Sequence, residues 1–193
     1  MKMVKWKHLF FILLGAVVSV VLILIIMMSI PPKDDQYRGT SLDESDYAPF
    51  NISTNKHDLN LLINHYLEEE ILEGAMDYKV LLDEEVDLYG TLPIFSQNLQ
   101  LKLSFESMAM ENGDIVLQQK GISVGQMDLP ISFVMKLIKD NYNIPDWVVI
   151  QPNEERIYVA LTEMELKSDV KVKVDQFDLK NDEIQFTLLV PVK

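Results

Sequence analysis

Apolar residues fill one stretch of the chain almost without interruption, and later return in two different periods. From Leu9 to Ile30 there are 22 residues whose only polar side chains are Ser19 and Ser29. A helix of that length spans about 33 Å, enough for a hydrocarbon core of roughly 30 Å. The block is apolar all round, unlike an amphipathic surface helix, and Pro31-Pro32 stop it. It predicts a transmembrane anchor over 9–30, behind a short N-terminus of residues 1–8. A cleaved signal peptide is the alternative, but its apolar region is shorter, about 7–15 residues. Met27-Met28-Ser29-Ile30-Pro31 is also a poor cleavage site.

Residues 31–54 contain Pro, Asp and Ser with no periodic apolar pattern and read as an acidic linker. As a coil its ends would lie roughly 25–30 Å apart. Helical spacing then appears in Leu59, Leu62, Ile63, Tyr66, Leu67 and Ile71. Thr54 or Ser53 is the expected cap, and Gly74 follows the end. Glu68, Glu69 and Glu70 crowd the last turn against the macrodipole and read as a solvated face.

Beyond this helix the period drops to two. Val86, Leu88 and Leu92 alternate with polar or small residues, as do Leu99, Leu101, Leu103 and Phe105. Asn112-Gly113 supplies a hairpin turn, and Ile115 and Leu117 begin the return strand. A second helix is expected from near Leu129-Pro130 to about Asn141. Strands resume at Trp147–Ile150 and, after Pro152-Asn153, at Arg156–Leu161. The chain closes with Val170, Val172 and Val174, a Lys180-Asn181-Asp182 turn, and Ile184, Phe186, Leu188 and Val190. So few helices cannot supply βαβ crossovers. The expected class is α+β, with one domain over 55–193 in which a curved, largely antiparallel sheet packs on about two helices. Either the sheet wraps around a helix or it lies flatter with both helices on one side. Periodicity leaves both open.

Charge orients the chain. Lys2, Lys5 and Lys7 precede the anchor and Asp34 and Asp35 follow it. The positive-inside rule then keeps the N-terminus cytoplasmic and places the domain outside the cell membrane. Of 17 Lys+Arg, those three lie before the anchor, while all 30 Asp+Glu lie after it, leaving the exported part at −16. Such a surface repels nucleic acid and anionic headgroups. The absence of cysteine removes disulfides, thiolate chemistry and Cys-based zinc sites.

Candidate chemistry is thin. Gly121-Ile122-Ser123-Val124-Gly125 satisfies G-x-S-x-G, but no histidine follows Ser123 to complete the hydrolase order. Turn glycines flanking a strand end account for the match. His57 and His65 stand eight residues apart, and His65 with Glu68 or Glu69 makes only a two-ligand set. Asp83, Glu84, Glu85 and Asp87 lack the calcium-loop pattern and its glycine. No catalytic residue, metal site or cofactor is expected.

Several segments carry a resemblance. Gly121 through Pro130, Asn143-Ile144-Pro145-Asp146-Trp147-Val148, and Asp178 through Ile184 together resemble the YpmS-like family. Those are membrane-anchored proteins of Gram-positive bacteria without an established activity. The likeness covers most of the chain, and it implies an envelope location but no catalytic residues. By fold-level analogy it also implies a likeness to tubular lipid-binding domains, which wrap a curved antiparallel sheet round a long helix.

The functional expectation is a membrane-tethered domain that binds lipid or lipid-linked envelope intermediates in an apolar groove. Its lining would be Leu101, Leu103 and Phe105, faced by Phe133, Leu137, Phe186 and Leu188. The bland alternative is that these residues fill a closed core. The functional rival is a non-enzymatic scaffold or regulator of a secreted envelope enzyme. An exposed apolar patch without a cavity favours the rival, and a deep apolar tunnel favours lipid.

Overall fold

The computed structural model describes residues 6–29, 44–71, 78–94, 97–125, 129–142, 144–164 and 166–192. Two compact units divide between Asp34 and Asp35. The first holds helix α1, Trp6–Ser29, of 24 residues. Its described side chains, those of 10–23, are all exposed. Among the described residues, no helix is long and apolar enough to cross a membrane. Most of the expected linker, 31–43, lies outside the described residues.

The second unit is an α+β domain with two antiparallel sheets rather than one. A three-stranded sheet has the order β1-β9-β8, where β1 is Tyr47–Thr54, β8 is Lys171–Asp178 and β9 is Glu183–Pro191. A six-stranded sheet has the order β2-β3-β4-β5-β7-β6. Its strands are β2 (Lys79–Leu82), β3 (Val86–Ile94), β4 (Gln97–Ala109), β5 (Ile115–Val124), β6 (Val148–Gln151) and β7 (Arg156–Val159). Every registered strand pair is antiparallel.

Strand β1 corrects the linker reading, because residues 47–54 pair along their whole length with β9, from Tyr47↔Pro191 to Thr54↔Ile184. Ala48, Phe50 and Ile52 do alternate there, but Pro49 and the acidic residues just before the strand mask the signal. The same pairing moves the helix cap. Helix α2, Lys56–Ile71, cannot be capped from inside a strand. Asn55 caps it instead: its Oδ1 accepts from the Asp58 N–H at 2.9 Å. The Asp182 carboxylate accepts from the Lys56 N–H at 2.7 Å, adding negative charge at the helix N-terminus.

The larger apolar core forms between the sheets and helices. Pairing brings Val86 opposite Phe105, Leu88 opposite Leu103, and Leu101 opposite Val124 on the inner face of the six-stranded sheet. Helix α3, Ile131–Asn141, lays Val134, Met135 and Ile138 on that face. Leu59 and Ile63 of α2 and Leu179 and Ile184 of the β8–β9 hairpin complete the cluster. Helix α2 does more than fill space. Asn60 donates to Leu82 O at 2.8 Å and accepts from Leu82 N at 2.7 Å, and Asn64 donates to Val80 O at 2.9 Å. These amides occupy backbone groups along the open side of β2, an edge strand.

The joint between the sheets is the expected Asn112-Gly113 turn. Gly113 sits at φ +90, and a Cβ there would lie 2.6 Å from Lys173 Cγ. Its carbonyl accepts from Val174 N on β8 at 2.8 Å. Next to it Asp114 is wholly buried. Its Oδ2 accepts from Tyr158 Oη and Asn112 Nδ2, both at 2.7 Å. Its Oδ1 accepts from Thr162 Oγ1 at 2.9 Å and Thr162 N at 3.1 Å. Burial and this bond push the Tyr158 phenol up to about 12, so it stays protonated and donating. Asp114→Ala would remove the acceptor of four hydrogen bonds and is expected to cost about 3 kcal/mol or more, read as a fall in the denaturant midpoint.

Candidate functional site

The seven groove candidates fall into two groups. Leu101, Leu103 and Phe105 are buried, with Leu103 at 0% exposure, and Val134 and Met135 from α3 belong to the same packed cluster. Phe186 packs on the edge of this core and meets Phe177 edge-to-face, ring centres 6.3 Å apart. Phe133, Leu137 and Leu188 are half-buried and stand outside the cluster. The strand residues and α3 therefore share a filled interior. One open depression of about 340 Å³ lies elsewhere, lined by Lys139, Tyr142, Ile144 and Val148 among others, and by none of the seven. Burial pushes the Tyr142 phenol up, and its hydroxyl donates to Thr91 O at 2.8 Å.

Apolar surface remains open on α2, where Leu61 and, from the expected helix face, Leu62 and Tyr66 are exposed, and on the three-stranded sheet. Residues paired across strands share a face, so Phe50, Leu188 and Val172 form one row, and Ile52, Phe186 and Val174 the next. Burial declines along each row: the β8 valines are buried, the β9 residues half-buried, and the β1 residues exposed. Phe50 is 56% exposed and Ile52 42%. The candidates Phe186 and Leu188 thus sit on an open face continued by two residues that the sequence reading placed in a linker. Alternation over 48–52 was the signal that could have found them.

The outer face of the six-stranded sheet is polar over β3 and β4, whereas at its β5–β7–β6 end Val116, Tyr158 and Ala160 form a second buried cluster. Asp87 and Ser104 are register partners, as are Tyr89 and Lys102, and Lys102 pairs on to Ser123. Lys102 Nζ lies 2.9 Å from the Asp87 carboxylate and 5.4 Å from the centre of the Tyr89 ring. Burial acts to raise the Asp87 carboxyl, but its bonds to Lys102, Ser104 and Tyr89 outweigh this and hold it below the usual range. Bonding to Asp87 and Tyr89 raises the Lys102 ammonium in turn. A lysine held charged is the reverse of what a general base beside Ser123 needs.

The G-x-S-x-G run has a structural account. Ser123 lies within β5, in antiparallel pairing, not at a strand-to-helix elbow. Gly121 follows a bulge that leaves Lys120 extra, and Gly125 takes φ +54 just past the strand. His57 and His65 are both exposed on α2. The side chains of Glu68 and Glu69 lie outside those described. Among the described residues, no three His, Cys, Asp or Glu side chains gather closely enough to hold a metal ion. Asp83 and Glu85 form the tight turn between β2 and β3, where Asp83 N donates to Glu85 O at 3.0 Å.

A small α+β domain behind an apolar N-terminal helix is the class these features define. The chain belongs to the family described as "Uncharacterized protein conserved in bacteria (DUF2140)", whose model matches residues 4–190. It is similar to the "Uncharacterized protein YpmS" of Bacillus subtilis (strain 168), with 33% identity over 187 residues, covering 97% of this chain and 98% of that protein. No solved structure matches.

Overpacking distinguishes a filled core from a ligand tunnel. Leu103→Trp is expected to destabilise the fold by about 1–3 kcal/mol, because an interior at crystal-like density has no room for the larger ring. Denaturant unfolding checks this, and an unchanged midpoint would indicate spare volume at that position.

Proposed function

We propose that this protein is a non-enzymatic docking module, tethered by its N-terminal helix to the outer face of the cell membrane. On this reading it holds another envelope protein against the open face of the three-stranded sheet. The observation that carries the reading is the exposure of Phe50 and Ile52 beside half-buried Phe186 and Leu188 on one sheet face. Burying two such side chains is worth roughly 1.5–3 kcal/mol each, a useful share of a modest affinity. The tether rests on the unbroken apolar run of 9–30, and its direction on Lys2, Lys5 and Lys7. Export also fits the lack of cysteine.

A second reading keeps lipid as the ligand. The rows Phe50–Leu188–Val172 and Ile52–Phe186–Val174 make a strip of apolar side chains on which an acyl chain could lie. Phe186 and Leu188 belong to the expected groove, so this reading moves the lipid from the interior to the open face.

Photo-crosslinking in intact cells tests both. A photoreactive phenylalanine analogue replacing Phe50 is expected to give protein adducts, whereas the same analogue replacing Ser104 on the polar face gives none. A mass increase of lipid size at Phe50 would instead support the second reading. No adduct at Phe50 beyond the Ser104 background would defeat both. Orientation is checked separately: a reporter active only outside the cytoplasm, fused after Lys193, is expected to work.

A further inference from the structure

We infer that β1 is the seam of a symmetric dimer, its free edge pairing antiparallel with β1 of a second copy about a two-fold axis at Phe50. The inference rests on the docking reading for the surface it uses, and names the partner. The backbone carries the first argument. Val192 N donates to Asp46 O at 3.0 Å, one step beyond the Tyr47↔Pro191 pair. Antiparallel pairs alternate between bonded and non-bonded, so the even positions of β1 bond to β9. Tyr47, Pro49, Asn51 and Ser53 therefore direct their backbone groups away from β9. Pro49, which lacks an N–H, falls on one of these outward positions, as proline in an edge strand does.

Among the described residues, that edge lacks the cover that two other edges, β2 and β8, receive. Asn60 and Asn64 cover β2, and the Gly113 carbonyl takes up Val174 N on β8. Residues 49–53 of β1, by contrast, are exposed on both faces. Edge strands commonly carry charge to prevent pairing. Tyr47–Thr54 has no Asp, Glu, Lys or Arg, in a chain of formal charge −13. Two copies repel each other over most of their surface, and this strip is one place where they meet without opposing charges.

The sequence of the strand suits self-pairing. With Phe50 opposite Phe50 of the second copy, Ala48 faces Ile52, Pro49 faces Asn51 and Tyr47 faces Ser53. Tyr47 and Ser53 exchange both backbone bonds, and Asn51 N–H reaches the Pro49 carbonyl; only the proline nitrogen offers nothing. The aromatic pair occupies a non-bonded site, where side chains approach most closely. The apolar rows of each copy then join across the seam in a continuous sheet of six strands. The interface is isologous, so it closes at two copies. On the docking reading both copies are anchored in one bilayer. Confinement there raises the effective concentration of one edge for the other.

The chain has no cysteine, so Phe50→Cys introduces a single thiol. Across a non-bonded pair the Cα atoms lie about 4.5 Å apart, within disulfide range. Mild oxidation of the full-length chain in its native membrane is expected to give a dimer band for Phe50→Cys, and none for Ile52→Cys or Ser104→Cys. Equal bands from all three would mean collision, and no band from a folded, maleimide-reactive Phe50→Cys would mean no seam; either result overturns the dimer. Single-molecule photobleaching supplies a variant-free check on the wild type, expected at two subunits per spot and falling to one in Phe50→Lys. One subunit in the wild type overturns the proposal. Photo-adducts at Phe50 that contain only other proteins would end the dimer while leaving the docking reading intact. Absence of any adduct would end both.

Discussion

A buried carboxyl group bonded by neutral donors anchors the turn that joins the two sheets. Asp114 is fully enclosed, and a charge in that position is tolerable only because donors surround it. Those donors come from three places: Asn112 in its own turn, Tyr158 on β7, and Thr162 in the segment that follows β7. Fixing the turn fixes Gly113, whose carbonyl bonds to Val174 of β8. The six-stranded sheet is thereby set against the three-stranded one. Apolar burial supplies most of the stabilising free energy, but it has no direction. The hydrogen bonds at this turn specify where the second sheet sits, and that placement leaves the β1 side of its apolar face open.

Much of this was legible from periodicity, and the failures have identifiable causes. Hairpin β4–β5, helix α3 and hairpin β8–β9 were readable because each shows one apolar face to one core, with punctuation at Asn112-Gly113, Pro130 and Asn181-Asp182. Strand β2 is only four residues long, too short for alternation to register. Strand β1 finds its partner at the far end of the chain, and no local pattern announces a pairing between Tyr47 and Pro191. Without that pairing two sheets read as one, and the expected α2 cap falls at Ser53 or Thr54 instead of Asn55. Nothing in the Asn112-Gly113-Asp114 tripeptide distinguishes a buried aspartate from an ordinary turn residue. Its role depends on Tyr158 and Thr162, which only the fold brings near.

The candidate site was legible in part for the same reason. Alternation told that Leu101, Leu103 and Phe105 share a face, and they do. It could not tell what covers that face, and the answer is α3. Phe186 and Leu188 alternate equally well, yet they stay half-buried because their neighbours on β1 end the sheet. Alternation marks a face as apolar, whereas the position of a strand within its sheet decides how much of that face water reaches. The same distinction separates Ser123 from a nucleophile: its motif matches, but its strand is antiparallel and its neighbour Lys102 is committed to Asp87.

The β1–β9 ladder joins the first strand of the domain to the last. During synthesis β1 leaves the ribosome well over a hundred residues before β9 is made, so it stays single until the chain is complete. Strand β2 has no such wait, since Asn60 and Asn64 are translated before the backbone they cover. Contacts that distant in sequence also form slowly, because a long loop must close before they contribute. The three-stranded sheet is therefore the late-forming part of the domain, and a chain cut short before Glu183 retains the elements of the six-stranded sheet but no partner for β1.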